Sequence, residues 1–317
     1  MRRHFLWAAL TVFLVPYVGT LGWTGAVHGE ELRYEHQKGA AGGIRILLDR
    51  TSGAYYMDME EYLPGVIARQ MPIEYELEAL KAQAVIARTY ICRQLESFGD
   101  GTEIPESALD MDYMEADQLK RLWGTSSFPG YYQKLEQAVR ETSGVIMTYE
   151  GKAIDPMFCR ASAGMTRAGD FAHPYLQPVD CPLDVEAEGF QQFSSFTGEE
   201  GARAVNGIPE GGAGPRQVKA EDFPAAVQII SRDGAGYVEQ IQIGGFLFGG
   251  EEIQYALGLS SACFSMEAYG EGFRAVSKGI GHGYGLSQHT ANEKAKEGWR
   301  AEDILGYFYK NIALISE

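Results

Sequence analysis

The sequence predicts an α+β fold, and three observations carry that reading. Short apolar runs recur in pairs around turn residues, as hairpins do. Two helix-like runs follow one another directly between residues 59 and 95. Strands and helices do not alternate with the regularity of a parallel βαβ sheet. The chain has 317 residues, 45% of them hydrophobic and 22% charged, enough to bury a large core in one elaborate domain or two ordinary ones.

In chain order, residues 43–48 and 54–57 flank the turn 49–53 as two strands. A helix is expected over 59–70, with Pro64 in its first turn and Met71-Pro72 ending it. A second helix, 76–95, places Leu77, Leu80, Ala84, Ala87 and Ile91 at helical spacing and leaves Lys81 and Arg88, seven residues apart, on the opposite face. Residues 98–129 are acidic, aromatic and without clear periodicity, which reads as a surface excursion. A helix over 131–142 precedes a hairpin of 144–149 and 153–160 around Glu150-Gly151. The run 206–215, rich in Gly and Pro, is the best linker or loop in the chain and a possible point of subdivision. Beyond it come a hairpin (227–231 and 237–243), a helix (251–257), a strand (264–268), a Gly-rich loop and a closing helix (301–309). No fixed-period repeat is present.

Charge and the N-terminus narrow the setting. With 27 Lys and Arg against 43 Asp and Glu, a net charge of −16, the chain is a poor partner for nucleic acid, whose binding requires cations on phosphates. Arg2 and Arg3 precede an uncharged stretch, 5–27, with an apolar centre at 5–15. This is the pattern of an export signal over 1–29. The centre has signal-peptide length, while the whole stretch approaches the roughly 20 residues of a spanning helix, so a cleaved peptide and a retained anchor both fit. Either one places 30–317 on the extracytoplasmic side.

Four motifs then appear in order. Glu61-Tyr62-Leu63-Pro64-Gly65-Val66, Met71-Pro72 and Glu78-Ala79-Leu80-Lys81-Ala82-Gln83-Ala84-Val85-Ile86-Ala87-Arg88-Thr89-Tyr90 make the first; Ser162-Ala163-Gly164-Met165-Thr166 the second; Pro174-Tyr175-Leu176-Gln177-Pro178-Val179 the third; and Gly281-His282-Gly283-Tyr284-Gly285-Leu286-Ser287-Gln288 the fourth. Together they resemble the stage II sporulation protein D and amidase enhancer family across nearly the whole exported chain. The resemblance implies a wall protein acting on peptidoglycan glycan strands stripped of stem peptides, during engulfment or wall turnover. It also implies two partners, a wall amidase and a membrane sporulation protein. The implied activity is that of a lytic transglycosylase, in which the sugar's own 6-hydroxyl attacks the anomeric carbon and leaves a 1,6-anhydro end. One carboxylic acid serves as both acid and base, and no cofactor is required for the chemistry.

At one position the chain departs from this pattern. The family's catalytic Glu directly precedes Met-Pro, and here that residue is Gln70. A carboxamide has no proton to give at neutral pH. Glu74 and Glu76 are the nearby acids that could stand in for it. If neither does, the resemblance implies a non-catalytic strand-binding scaffold that recruits or stimulates an amidase. Binding residues carried over from the motifs are Lys81, Arg88, Tyr90, Ser162, Tyr175, His282, Ser287 and Gln288, with the amides of 281–285; His289 has no assigned role.

The cysteines leave alternatives open. Cys159 and Cys181 bracket two motifs with His173 between them, compatible with structural zinc, with a disulfide or with free thiols. Cys92 and Cys263 read as core. A different function class, a thiol-dependent wall hydrolase, would use Cys159 as nucleophile with a histidine base.

Overall fold

The computed structural model describes residues 43–51, 53–99, 101–209 and 217–316. The export segment at 1–29 lies outside the described residues, as do 210–216 of the Gly- and Pro-rich run. Seven helices and several small, mostly antiparallel sheets confirm the α+β class among the described residues.

Strands β1 (Arg45–Arg50) and β2 (Gly53–Asp58) form the expected hairpin, pairing Ile46 with Met57 and Leu48 with Tyr55. Alternation along β1 buries Ile46 and Leu48 completely. Helix α1 (Met59–Gln70) starts where Asp58 caps it, accepting from the Glu60 N–H at 2.8 Å. That start corrects one expectation. Pro64 sits in the second turn, not the first, inside a stretch buried from Tyr62 to Ile67. Gly65 is required there, because a Cβ would strike the Tyr113 ring. Helix α2 (Leu77–Phe98) follows, and its apolar face (Leu80, Ala84, Ala87, Ile91) packs with Ile46, Leu63 and Ile67 into one core.

The expected surface excursion over 98–129 is structured. Strand β3 (Glu103–Pro105) pairs in parallel with β1, and helix α3 (Ala116–Arg140) begins inside the excursion, with Ile104, Leu109 and Leu119 buried. Its periodicity was hidden because α3 breaks at Gly124 (φ 76°), so no single apolar phase runs through it. The hairpin expected over 144–160 is also shorter than read. Strand β4 (Val145–Tyr149) pairs with the two-residue β5 (Lys152–Ala153). The chain then turns inward so that β6 (Phe158–Cys159) can pair elsewhere.

Residues 191–209 and 217–278 gather around a further core. Strand β7 (Gln191–Phe196), helix α4 (Gly198–Asn206), strands β8 (Val227–Arg232), β9 (Val238–Ile243) and β10 (Phe246–Gly249), helix α5 (Gly250–Leu257) and strands β11 (Phe264–Tyr269) and β12 (Gly272–Lys278) form two three-stranded sheets. Val205, Val218, Ile241, Phe264 and Phe273 share that core. The exposed Asn206 side chain bonds Val218 N–H and C=O at 3.0 and 2.9 Å, which ties residues on the two sides of the Gly- and Pro-rich run together.

After β12 comes the glycine-rich segment 279–285, where Ile280 N–H donates to the Ala161 carbonyl at 2.7 Å. A Cβ at Gly283 would strike the Tyr237 ring and one at Gly285 the Met157 carbonyl, so both positions require glycine for close approach. Strand β13 (Leu286–Ser287) pairs with β6, and helix α6 (Gln288–Lys296), which no apolar phase in the sequence marks, starts immediately. Helix α7 (Ala301–Phe308) and strand β14 (Ala313–Ser316), the second partner of β4, close the fold.

Candidate functional site

Three glutamines from three elements meet at one point. Gln70 ends α1, Gln83 lies on α2, and Gln288 opens α6 directly after the glycine-rich segment. The Gln83 amide donates to Gln70 Oε1 at 2.8 Å, and the Gln288 amide donates to the Gln70 backbone carbonyl at 2.8 Å and to Gln83 Oε1 at 3.2 Å. Gln83 and Gln288 are buried while Gln70 is half-buried. With its oxygen engaged, Gln70 has its Nε2 left to offer a ligand, a donor without a titratable proton. Among the described residues, no carboxylate hydrogen-bonds this trio. Glu74 and Glu76 are exposed on the turn between α1 and α2, where Glu76 N–H donates to Asn292 Oδ1 at 2.8 Å and Lys134 holds the carbonyls of Ile73 and Tyr75.

Behind the trio sits a carboxylate. Asp184 is fully buried and accepts four hydrogen bonds: from Ser162 N–H and Oγ (2.7 Å each), Ser287 Oγ (2.8 Å) and Thr290 Oγ1 (2.7 Å). It thereby locks the 162–166 loop to the start of α6, which carries Gln288. Ser287 also caps α6. Asp184 and Gln83 were not singled out in the sequence. Gln83 stands inside the Lys81-Ala82-Gln83-Ala84 run and could have been found there, whereas nothing in local spacing marks Asp184.

Several expected binding residues lie elsewhere. Arg88 is fully buried, and its guanidinium bonds both Glu60 oxygens (2.6 and 2.8 Å) and the carbonyls of Val145 and Val139. Lys81 is held between Glu78 (2.6 Å) and Glu141 (2.5 Å). Both placements follow from helix phase, since Lys81 is about 200° round α2 from Gln83, on the side facing α3 and β4. Ser162 and Ser287 are buried and bond Asp184. Tyr175 is 5% exposed, its hydroxyl accepting from Asp155 N–H at 2.9 Å. Tyr90 is half-buried two turns beyond Gln83, its phenol pushed up by burial and by Asp110 and Asp155.

His282 does not reach the trio. Its Nδ1 accepts from Tyr284 N–H at 3.0 Å, and its carbonyl accepts from Arg167 at 3.3 Å; Arg167 also pairs with Asp233 (2.6 Å) and Glu251 (2.5 Å). Burial holds the imidazole below its ordinary pKa, with Glu251 opposing that shift and Arg167 reinforcing it. A folded value below the unfolded one means that the unfolded chain takes the proton first. The contribution of His282 to stability is therefore full above the ordinary imidazole range and lost as pH falls through the folded value. A His282→Asn variant, whose Oδ1 can replace Nδ1 as acceptor, should lose less Tm than the native chain between about pH 7 and about pH 5. Equal slopes in the two melting series would refute this.

Cys159, His173 and Cys181 are not gathered into a ligand set. His173 Nδ1 bonds Asp170 at 2.6 Å and its Nε2 faces Asp155 at 3.6 Å, whereas Cys159 and Cys181 lie near Asp184. No group of three metal-ligating side chains occurs among the described residues. All four cysteines carry free thiols. Burial, then Asp184, pushes the Cys159 thiol up and raises Cys181 to about 12, which disfavours the thiolate form in both.

Fold and site define an α+β protein in which separate motif loops converge on a buried carboxylate and present one carboxamide outward. The chain belongs to the stage II sporulation protein D family. The family model described as stage II sporulation protein matches residues 49–149. The chain is 34% identical over 266 residues to stage II sporulation protein D of Bacillus subtilis, covering 81% of this chain and 74% of that one. It is 33% identical over 263 residues to the same-named protein of Bacillus amyloliquefaciens, covering 80% and 73%. It is also 23% identical over 302 residues to a Bacillus subtilis protein named amidase enhancer, covering 80% of this chain and 40% of that one.

Proposed function

We propose that this protein binds denuded peptidoglycan glycan strands at the Gln70 site during sporulation or wall remodelling, and does so as a catalytically retired relative of the lytic transglycosylases. One observation carries the reading: at the position where the family resemblance implies an acid, the Gln70 side-chain oxygen is engaged by Gln83, with no carboxylate bonded to it among the described residues. Such a site offers hydrogen bonds to hydroxyl and acetamido groups and moves no proton. Export through the 1–29 segment puts it beside its substrate. Binding of stripped strands beside a wall amidase, the role suggested by the amidase enhancer relative, would then hold that enzyme on the wall.

The purified protein should co-sediment with denuded strands, add no 1,6-anhydro ends detectable by mass spectrometry, and lose strand binding on Gln288→Ala. Anhydro ends made by the native protein would overturn the reading and point to Glu74 or Glu76 as the acid.

A further inference from the structure

A cavity of about 660 Å³ lies at the far end of α2, bounded by Arg93, Tyr149, Lys152, Asp155, Phe171 and Tyr175 among others. Arg93 is ten residues from Gln83 on the same helix, about 15 Å along the axis, so this is a separate place from the glutamine trio. The volume falls within the usual range for ligand pockets, roughly 300–1,000 Å³.

Phe171 is its most unusual feature. A Phe side chain is ordinarily covered, yet this one is fully exposed at the rim, at 102%. The loop that carries it is closed and pinned. Gly169 N–H donates to Leu176 C=O at 2.8 Å, His173 N–H to Asp170 C=O at 3.0 Å, and the Asp170 carboxylate takes Ala172 N–H (3.0 Å) and His173 Nδ1 (2.6 Å). Gly169 permits this closure, because a Cβ there would strike the His173 carbonyl. An aromatic ring is thus held out in water on a preset loop, which lowers the ordering cost of stacking on it. Below it Tyr149 and Tyr175 pack with ring centroids 5.7 Å apart, and Asp155 joins Arg93 at 3.0 Å. Charges of both signs, Arg93 and Lys152 with Glu96, Glu150 and Asp155, line the cavity and provide donors and acceptors, two cations against three carboxylates.

We infer that this cavity is a second glycan subsite, taking a β-linked N-acetylated amino sugar whose apolar ring face stacks on Phe171 while its hydroxyl and acetamido groups meet the paired charges. Mixed polar groups around aromatic faces suit an uncharged, hydroxyl-rich ligand better than a charged peptide, which would leave one of the two signs opposed. The inference rests on the glycan-binding reading but uses different residues, so the two can fail separately.

The test titrates the full-length protein with β-1,4-linked N-acetylglucosamine oligomers by calorimetry, and with denuded strands by co-sedimentation, in native, Phe171→Ala, Phe171→Tyr and Gln288→Ala forms. Because Phe171 is exposed, its variants should melt with the native protein. Phe171→Ala should weaken oligomer binding about three- to tenfold and Phe171→Tyr should restore it. Unchanged affinity in Phe171→Ala, with loss in Gln288→Ala, would overturn the second subsite and leave the first. Loss in Phe171→Ala alone would uphold the subsite and sink the Gln70 reading. Strand binding without oligomer binding would overturn the inference, as would stem peptides displacing oligomers at Phe171; absence of both kinds of binding would overturn both readings.

Discussion

Gln70→Glu is expected to turn a strand-binding protein into a strand-cleaving one, releasing 1,6-anhydro ends from denuded glycan at least about 100-fold faster than the native chain, the low end of what general acid–base catalysis contributes. The substitution is nearly isosteric. Gln83 Nε2, 2.8 Å from the Gln70 side-chain oxygen, remains a donor to the carboxylate, and Gln288 continues to hold the Gln70 backbone carbonyl. Gln70 is only half-buried, so the new acid has access to solvent and to a sugar oxygen. The readout is mass spectrometry of strand ends after matched incubations. Equal product from native and variant proteins would show that another group carries the proton. Product from neither would show that position 70 does not meet the scissile bond, even though strands bind.

The second large effect concerns stability. Glu60→Ala should destabilise the protein by about 3–5 kcal/mol, because it strands the Arg88 guanidinium in the core. Arg88 is fully buried and both carboxylate oxygens of Glu60 bond it, joining α1 to α2 across 28 residues of sequence. The two backbone carbonyls that remain, Val139 and Val145, supply hydrogen bonds but no countercharge. Thermal melts should show a Tm lower by on the order of 10 °C. Glu60→Gln, which keeps the acceptor without the charge, should fall between. A Tm within about 1 °C of native in Glu60→Ala would mean that water or another acid reaches Arg88. Lys81, by contrast, is held by two partly exposed acids, and its removal should cost no more than about 1 kcal/mol.

These two cases mark how far the sequence could be read. Helix α2 was legible nearly to its ends, because its apolar residues keep one phase over five turns. The four motifs and their order were sufficient for the family, and the Gln at position 70 was visible by simple inspection. Helix α3 was not legible, since the break at Gly124 splits its phase, and α6 was lost because it follows a glycine-rich run and buries mainly polar residues, Gln288, Thr290 and Asn292.

The candidate site divides in the same way. The sequence by itself determined the class of fold, the family, and the absence of a proton at residue 70, because each is a matter of which residues occur in what local order. Tertiary structure alone decided that Arg88 is a buried strut paired with Glu60, that His173 faces Asp170 and Asp155, and that Asp184 joins Ser162 to Ser287 and Thr290. The physical reason is that helical or strand period tells which residues of one element share a face, but not which other element covers that face. Gln288 and Gln70 are 218 residues apart, and no local pattern encodes their hydrogen bond.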